Sequence, residues 1–143
     1  MTTGHVFIAA SLDGFIARCD GDVDWLSKYV VEGEDNGYDA MMASVEGLIM
    51  GRSTFQKVLT FGEWSYSKPV VVLSRSLTDD DIPADLKRKV RLSDATPQAL
   101  MNQLNAEGWK RAYVDGGMVI QSFLSAGLIE NMIITRVPVL LGE

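Results

Sequence analysis

The run Gly47-Leu48-Ile49-Met50 is short, apolar and branched, as a buried strand is, and it passes directly into Gly51-Arg52-Ser53-Thr54. A strand that feeds a helix in this way ends at free backbone N–H groups and the positive end of the helix dipole, a natural seat for phosphate. Gly51 lets a ligand approach the backbone, Thr54 offers a hydroxyl, and Arg52 adds a cation that can bind two oxygens at once. A second exit, Leu73-Ser74-Arg75, presents a hydroxyl and a guanidinium together, suited to gripping a phosphate or stacking on a purine. A third, Asp115-Gly116-Gly117, again leads from strand to helix, and its two glycines let a diphosphate come close to the backbone. Each segment also has a plainer reading: a capped helix with a surface charge, a polar strand exit, a tight turn.

Proton handling needs a different kind of residue. The segment Ala10-Ser11-Leu12-Asp13-Gly14-Phe15-Ile16-Ala17 follows the first strand, and Asp24-Trp25-Leu26 comes soon after. A loop here can cover a planar ligand, with Trp25 as an apolar wall and Asp13 or Asp24 as the carboxylate that moves a proton or pairs with a ring amidine. Against this, the chain has 19 acidic residues, and most carboxylates on any protein are simply solvated.

The elements that would position these residues alternate. His5 to Ala10 is a short apolar strand followed by turn chemistry. Short helices are expected over Trp25 to Val31 and Tyr38 to Val45, the latter with Met41 and Met42 facing inward. Gly47 to Met50 is a strand, and Ser53 and Gln56 have the spacing of a capping box for the next helix, whose Phe55, Val58 and Leu59 share a face. Pro69 to Leu73 is an unbroken apolar strand, as in a sheet covered on both faces. Asp79 to Asp85 reads as an acidic loop. Thr96-Pro97 starts a helix that Gly108 can stop. Arg111 to Val114 is a strand, Met118 to Ser125 a helix capped by Gly127, and Ile129 to Val137 a long final strand. Trp64 and Trp109 flank turns and are expected to close the core. Strands and helices in this order predict an α/β fold with a mostly parallel sheet, whose ligands bind at strand carboxyl ends. All three glycine- or arginine-bearing exits lie there.

Bulk properties narrow the function. A chain of 143 residues holds one domain. Its net charge of −6 and lack of a basic block argue against nucleic-acid binding. Cys19 is the sole cysteine and His5 the sole histidine, which disfavours clustered-cysteine metal sites and Ser-His-Asp hydrolysis. No stretch approaches the ~18 apolar residues of a membrane span, so a cytoplasmic protein without a membrane partner is expected.

Taken together, the motifs resemble a known family. Ile49-Met50-Gly51-Arg52-Ser53-Thr54-Phe55-Gln56 is similar to the cofactor segment of dihydrofolate reductases. Val71-Val72-Leu73-Ser74-Arg75 and the run from Val114 to Leu124 stand in the order of that family's second and third cofactor segments. Ser11 to Ala17, Asp24-Trp25-Leu26 and Asp115-Gly116-Gly117 resemble the reductase domain of bifunctional riboflavin-biosynthesis proteins. The resemblance covers Phe7 to Gly142 and implies a three-layer αβα dihydrofolate-reductase-like fold with NADPH across the strand ends. By the same resemblance, Arg52 and Arg75 face the 2′-phosphate beside Ser74, and Thr54, Gly116, Gly117 and Met118 approach the pyrophosphate. Ala10, Gly51, Ser53 and Val119 complete the cofactor set, Asp24 and Asp13 are the catalytic candidates, and Ser11, Gly14 and Trp25 border the substrate. The implied reaction is hydride transfer to a C=N or C=O bond of a small heterocyclic or ribosylamino molecule. A true dihydrofolate reductase, a non-catalytic nucleotide-binding module and a ligand-free structural dimer are the rivals. Relatives continue into a closing strand pair where this sequence reaches Leu140-Leu141-Gly142, which leaves the apolar strand around Met132 to Val139 open and predicts a homodimer.

Overall fold

The computed structural model describes residues 1–17, 20, 23, 25–26, 37–64 and 66–142. The described residues form six strands and four α-helices, in the order β1 (Thr3–Ser11), α1 (Tyr38–Ser44), β2 (Gly47–Gly51), α2 (Arg52–Leu59), β3 (Val70–Leu73), β4 (Val90–Ser93), α3 (Pro97–Ala106), β5 (Arg111–Asp115), α4 (Gly117–Ser125) and β6 (Ile129–Val137). The strands form one sheet in the order β4-β3-β2-β5-β1-β6, and every pairing is parallel.

Strand residues alternate between two faces, and each face has its own core. Leu48, Met50, Val70, Val72 and Tyr113 pack with Met41 and Val45 from the α1 side and Phe55 of α2. Their neighbours Ile49, Val71, Ala112 and Val114 pack with Leu100, Met101 and Leu104 of α3 and Ile120 and Phe123 of α4. The sheet is therefore the middle of three layers. Leu48, Ile49 and Met50 are each fully buried, and such side chains contribute about 1.5–3 kcal/mol apiece. Trp109 joins the second core, as expected of it.

The helix signals are mostly obeyed. Thr96 caps α3 by accepting from the Ala99 N–H at 3.2 Å, Pro97 takes the first position, and Gly108 ends the turn at φ 95°. The capping box anticipated at Ser53 does not form. β2 stays paired with β3 through Gly51, opposite Leu73, so α2 starts at Arg52 with Gly51 as its cap and Ser53 already inside the first turn. One strand went unanticipated. β4 has only Val90 and Leu92 as apolar residues, and it exists because it pairs with β3 from Val70–Val90 to Leu73–Ser93. Two 3-10 turns, Asp79–Asp81 and Ala84–Leu86, occupy the acidic connection, with Asp81 accepting from the Thr78 N–H at 2.7 Å. Most of the helix expected over Trp25 to Val31 falls outside the described residues, and α1 ends at Ser44. Among the described residues no helix is long and apolar enough to cross a membrane.

The connections create a crevice. The chain steps outward from β2 to β4 and returns as β5, which inserts between β2 and β1. Neighbouring strands β2 and β5 then send their helices to opposite faces, α2 to one and α4 to the other. A parallel sheet opens at such a switch point, and ligands enter there.

Candidate active site

The N-termini of α2 and α4 nearly touch. A Cβ on Gly51 would lie 2.8 Å from Val119 Cγ2, and one on Gly116 would lie 2.5 Å from Thr54 Oγ1. Gly116 also holds φ 96°, where a side chain is strained. Glycine is thus required at Gly116 twice over. Neither helix start has a side-chain cap, which leaves its first N–H groups free to face a ligand.

Two depressions flank this junction. The smaller, about 430 Å³, is lined by Arg52, Ser74, Arg75, Ser76, Thr96 and Met118 among others. It brings together the residues expected at a 2′-phosphate, and Val119 lines it as well. Arg52 Nη1 donates to Ser76 Oγ at 3.2 Å, and Ser74 Oγ accepts from the backbone N–H groups of Ser76 and Leu77 at 3.1 Å. Ser74 therefore braces the turn that carries Arg75, while both guanidinium groups stay exposed. Ser76, Ser93 and Thr96 were not anticipated. The first lies one residue past the motif, and the other two come from the β4 exit and the α3 cap, which no local pattern tied to the site.

The larger cleft, about 630 Å³, lies on the other side. Phe7, Ile8 and Ala9 of β1 form one wall and Thr54, Lys57 and Val58 of α2 another, with Ile16, Ala17, Val23 and Leu26 from the loop after β1 and Phe61 at the rim. Thr54, Lys57, Val58 and Phe61 recur at the spacing of one helix face, a signal that was available in the sequence. Ser53 lines this cleft too, as do Gly116 and Gly117.

Asp115 at the end of β5 and Asp20 in the loop after β1 are the carboxylates that line the cleft among the described residues. Burial raises the Asp115 carboxyl above the usual aspartate range, and the Gly116 N–H, donating at 2.9 Å, offsets only part of that. Burial followed by the nearby Asp115 charge raises the phenols of Tyr38, Tyr66 and Tyr113 as well. A carboxyl raised by burial keeps its proton to higher pH than a solvated aspartate does, which suits it to proton transfer at the cleft. In the sequence, Asp115 drew notice only as the residue before two glycines.

The other expected residues are placed as follows. Asp13 does not line the cleft. Ser11 Oγ donates to its carboxylate at 2.6 Å, and the backbone N–H groups of Gly142 and Leu141 donate at 2.7 and 3.2 Å. Those bonds hold its pKa down to about 2, so the expectation of a proton-moving Asp13 gives way to an ionised, fully engaged carboxylate. Trp25 is 3% exposed and packs inward, and its neighbours Val23 and Leu26 reach the cleft in its place. Ser11 is buried, Gly14 is an exposed turn residue at φ 89°, and neither these two nor Ala10 line the cleft, whose β1 wall ends at Ala9. Asp24 and Cys19 lie outside the described residues.

The all-parallel αβα sheet, with glycine turns leading into α2 and α4 at its switch point, matches the dihydrofolate-reductase-like class of fold. The chain belongs to the RibD C-terminal domain family, whose model matches residues 2–143. It is 35% identical over 141 residues to the uncharacterised protein YwjB of Bacillus subtilis (strain 168), covering 96% of this chain and 78% of that one. It is 26% identical over 143 residues to the riboflavin biosynthesis protein RibD of Corynebacterium ammoniagenes, covering 94% of this chain and 42% of that protein. A solved structure of a candidate riboflavin biosynthesis protein from Shewanella sp. PV-4 superposes with a TM-score of 0.91 at 45% identity, covering 99% of this chain and 80% of that one. The Thermotoga maritima diaminohydroxyphosphoribosylaminopyrimidine deaminase/5-amino-6-(5-phosphoribosylamino)uracil reductase shares the fold, with a TM-score of 0.73 at 16% identity over 99% of this chain and 46% of that one.

Proposed function

We propose that this chain is a cytoplasmic NADPH-dependent reductase of a small heterocyclic or ribosylamino substrate similar to 5-amino-6-(5-phosphoribosylamino)uracil. The observation that carries the reading is the pair of depressions meeting at the uncapped starts of α2 and α4, with two guanidinium groups at one end and Asp115 at the other. The residues present fit the cofactor. Arg52, Arg75 and the serines beside them would hold the 2′-phosphate, and the backbone at Gly51, Gly116 and Gly117 with Thr54 would receive the pyrophosphate. When bound, NADPH supplies a hydride. The chain's own part is to orient and to exclude water. Ile8, Ile16, Val23, Leu26 and Phe61 give the larger cleft apolar walls, and Asp115, whose carboxyl burial raises, would deliver a proton to the atom that becomes basic on reduction.

A titration with NADPH, NADH and free flavin tests the cofactor, and NADPH is expected to bind tightest. Failure of NADPH to bind at millimolar concentration overturns the proposal. Dihydrofolate turnover would move the assignment to dihydrofolate reductase, with Asp115 as the candidate to pair with a pterin ring. Binding without turnover of either substrate would leave a nucleotide-binding module. Among the described strands β6 pairs only with β1, and its exposed Met132, Ile133 and Ile134 support a second element of the proposal, that the protein works as a homodimer.

A further inference from the structure

The turn after β1 is tied to the chain beyond β6 by a single carboxylate. Asp13 accepts from two consecutive backbone N–H groups, Leu141 on one oxygen and Gly142 on the other. Successive amides that converge on an anion form a nest, which requires a left-handed residue, and Gly142 has φ 78°. The Leu12 N–H adds a parallel bond to the Val139 carbonyl at 2.9 Å.

On the other side of Asp13 the turn closes on itself. Ser11 is 2% exposed, and its N–H donates to the Phe15 carbonyl at 2.8 Å. Its Oγ accepts from the Phe15 N–H at 3.0 Å while donating to Asp13. The Gly14 N–H donates to the Ser11 carbonyl at 3.0 Å. The next two residues, Ile16 and Ala17, line the larger cleft, and Ile16 Cδ1 would lie 3.2 Å from a Cβ on Gly117 at the start of α4.

We propose that Asp13 is a positioning residue, whose carboxylate sits in the Leu141–Gly142 nest and thereby holds the Ser11–Phe15 turn, and with it Ile16 and Ala17, against the cleft. The cleft wall is then coupled to the segment that follows the edge strand, although neither Leu141 nor Gly142 lines the cleft. Ionised down to a pH of about 2, the latch stays shut across the physiological range. The inference rests on the reductase reading only for its kinetic arm.

The test compares Asp13→Ala, Asp13→Glu, Leu141→Pro and the Asp13→Ala/Leu141→Pro pair in the full chain. Amide hydrogen exchange is followed at residues 12–17 and 139–142. Asp13→Ala is expected to speed exchange in both segments by about 10-fold and to leave β2 and β5 unchanged. Leu141→Pro, which deletes one donor and leaves Asp13 intact, should reproduce much of this, and the pair should add little to Asp13→Ala. Asp13→Glu should restore part of the protection. In turnover, the KM for substrate should rise several-fold with kcat nearly unchanged. Unchanged exchange at residues 139–142 in Asp13→Ala overturns the latch. So does a kcat loss of ~10²–10⁴-fold in Asp13→Ala that Leu141→Pro does not share, because that pattern belongs to a proton-moving residue. Coupled exchange in a protein that binds no NADPH supports the latch and defeats the reductase reading alone.

Discussion

Arg52 and Arg75 offer the sharpest residue-level prediction. NADPH and NADH differ only at the 2′-phosphate, so a residue bound to that group must act on the difference. Arg52→Ala is expected to weaken NADPH by about 10-fold and leave NADH nearly unchanged, at the low end for a charge-assisted bond because the guanidinium is exposed. Arg75→Ala should behave alike, and the double variant should lose less than the product of the two, since both cations share one anion. Fluorescence titration with each cofactor measures this, and equal losses for NADPH and NADH would remove the assignment. Asp115 carries the second prediction. Asp115→Asn should lower kcat by ~10²–10⁴-fold with little change in NADPH affinity. The sign of the pH effect follows from a raised carboxyl. The folded protein holds the proton more tightly than the unfolded chain, so stability declines as pH rises from the ordinary aspartate range through the raised pKa. Turnover should fall over the same step, because the acid form is the donor. Asp115→Asn should abolish both steps, and thermal unfolding against pH reads the first without any substrate.

Among the elements, the paired helix starts are the part least tolerant of change. Gly116→Ala places a methyl against Thr54 in a backbone conformation that L residues avoid, at a cost of about 1–3 kcal/mol. It is expected to lower the melting temperature and to weaken NADPH and NADH equally, which separates it from Arg52→Ala. Gly51→Ala should be milder, because its obstacle is the tip of the Val119 side chain, whose rotamer can give. Thermal unfolding and cofactor titration of the two variants check the ranking. The strand-to-helix junctions at Gly51 and Gly116 were legible in the sequence, since glycine beside an apolar run marks them. That they meet each other was not, because β2 and β5 are neighbours only after the intervening 59 residues (from 52 to 110) have folded out and back.

For the whole molecule, the exposed edge is the open question that a measurement can close. Met132, Ile133 and Ile134 are 38%, 45% and 49% exposed on β6, which pairs only with β1 among the described strands. Consecutive residues point to opposite faces, so both faces of this edge are apolar. Light scattering at micromolar concentration is expected to give a dimer, and Ile134→Lys to shift it towards monomer. A monomer at every concentration would instead assign the cover to residues of the same chain.

The sequence by itself determined the local structure and the family. Unbroken apolar runs at β2 and β3, the Thr96-Pro97 start and the Gly108 stop are short-range signals, each readable within a few residues. The Gly-Arg-x-Thr and Asp-Gly-Gly turns were marked by the same local chemistry as strand-to-helix junctions. Tertiary structure alone decided the rest. β4 is a strand because β3 supplies its partner, and Ser93 and Thr96 join the smaller depression because β4 and α3 lie beside it. Which acid faces the cleft was also decided by packing. Asp13 has the more suggestive loop, but its charge is satisfied first by the Ser11 hydroxyl and then by amides 128 and 129 residues away, whereas Asp115 is raised by burial that no neighbour in sequence reveals. A carboxylate's role follows from the donors and the dielectric around it, and both are assembled from distant parts of the chain.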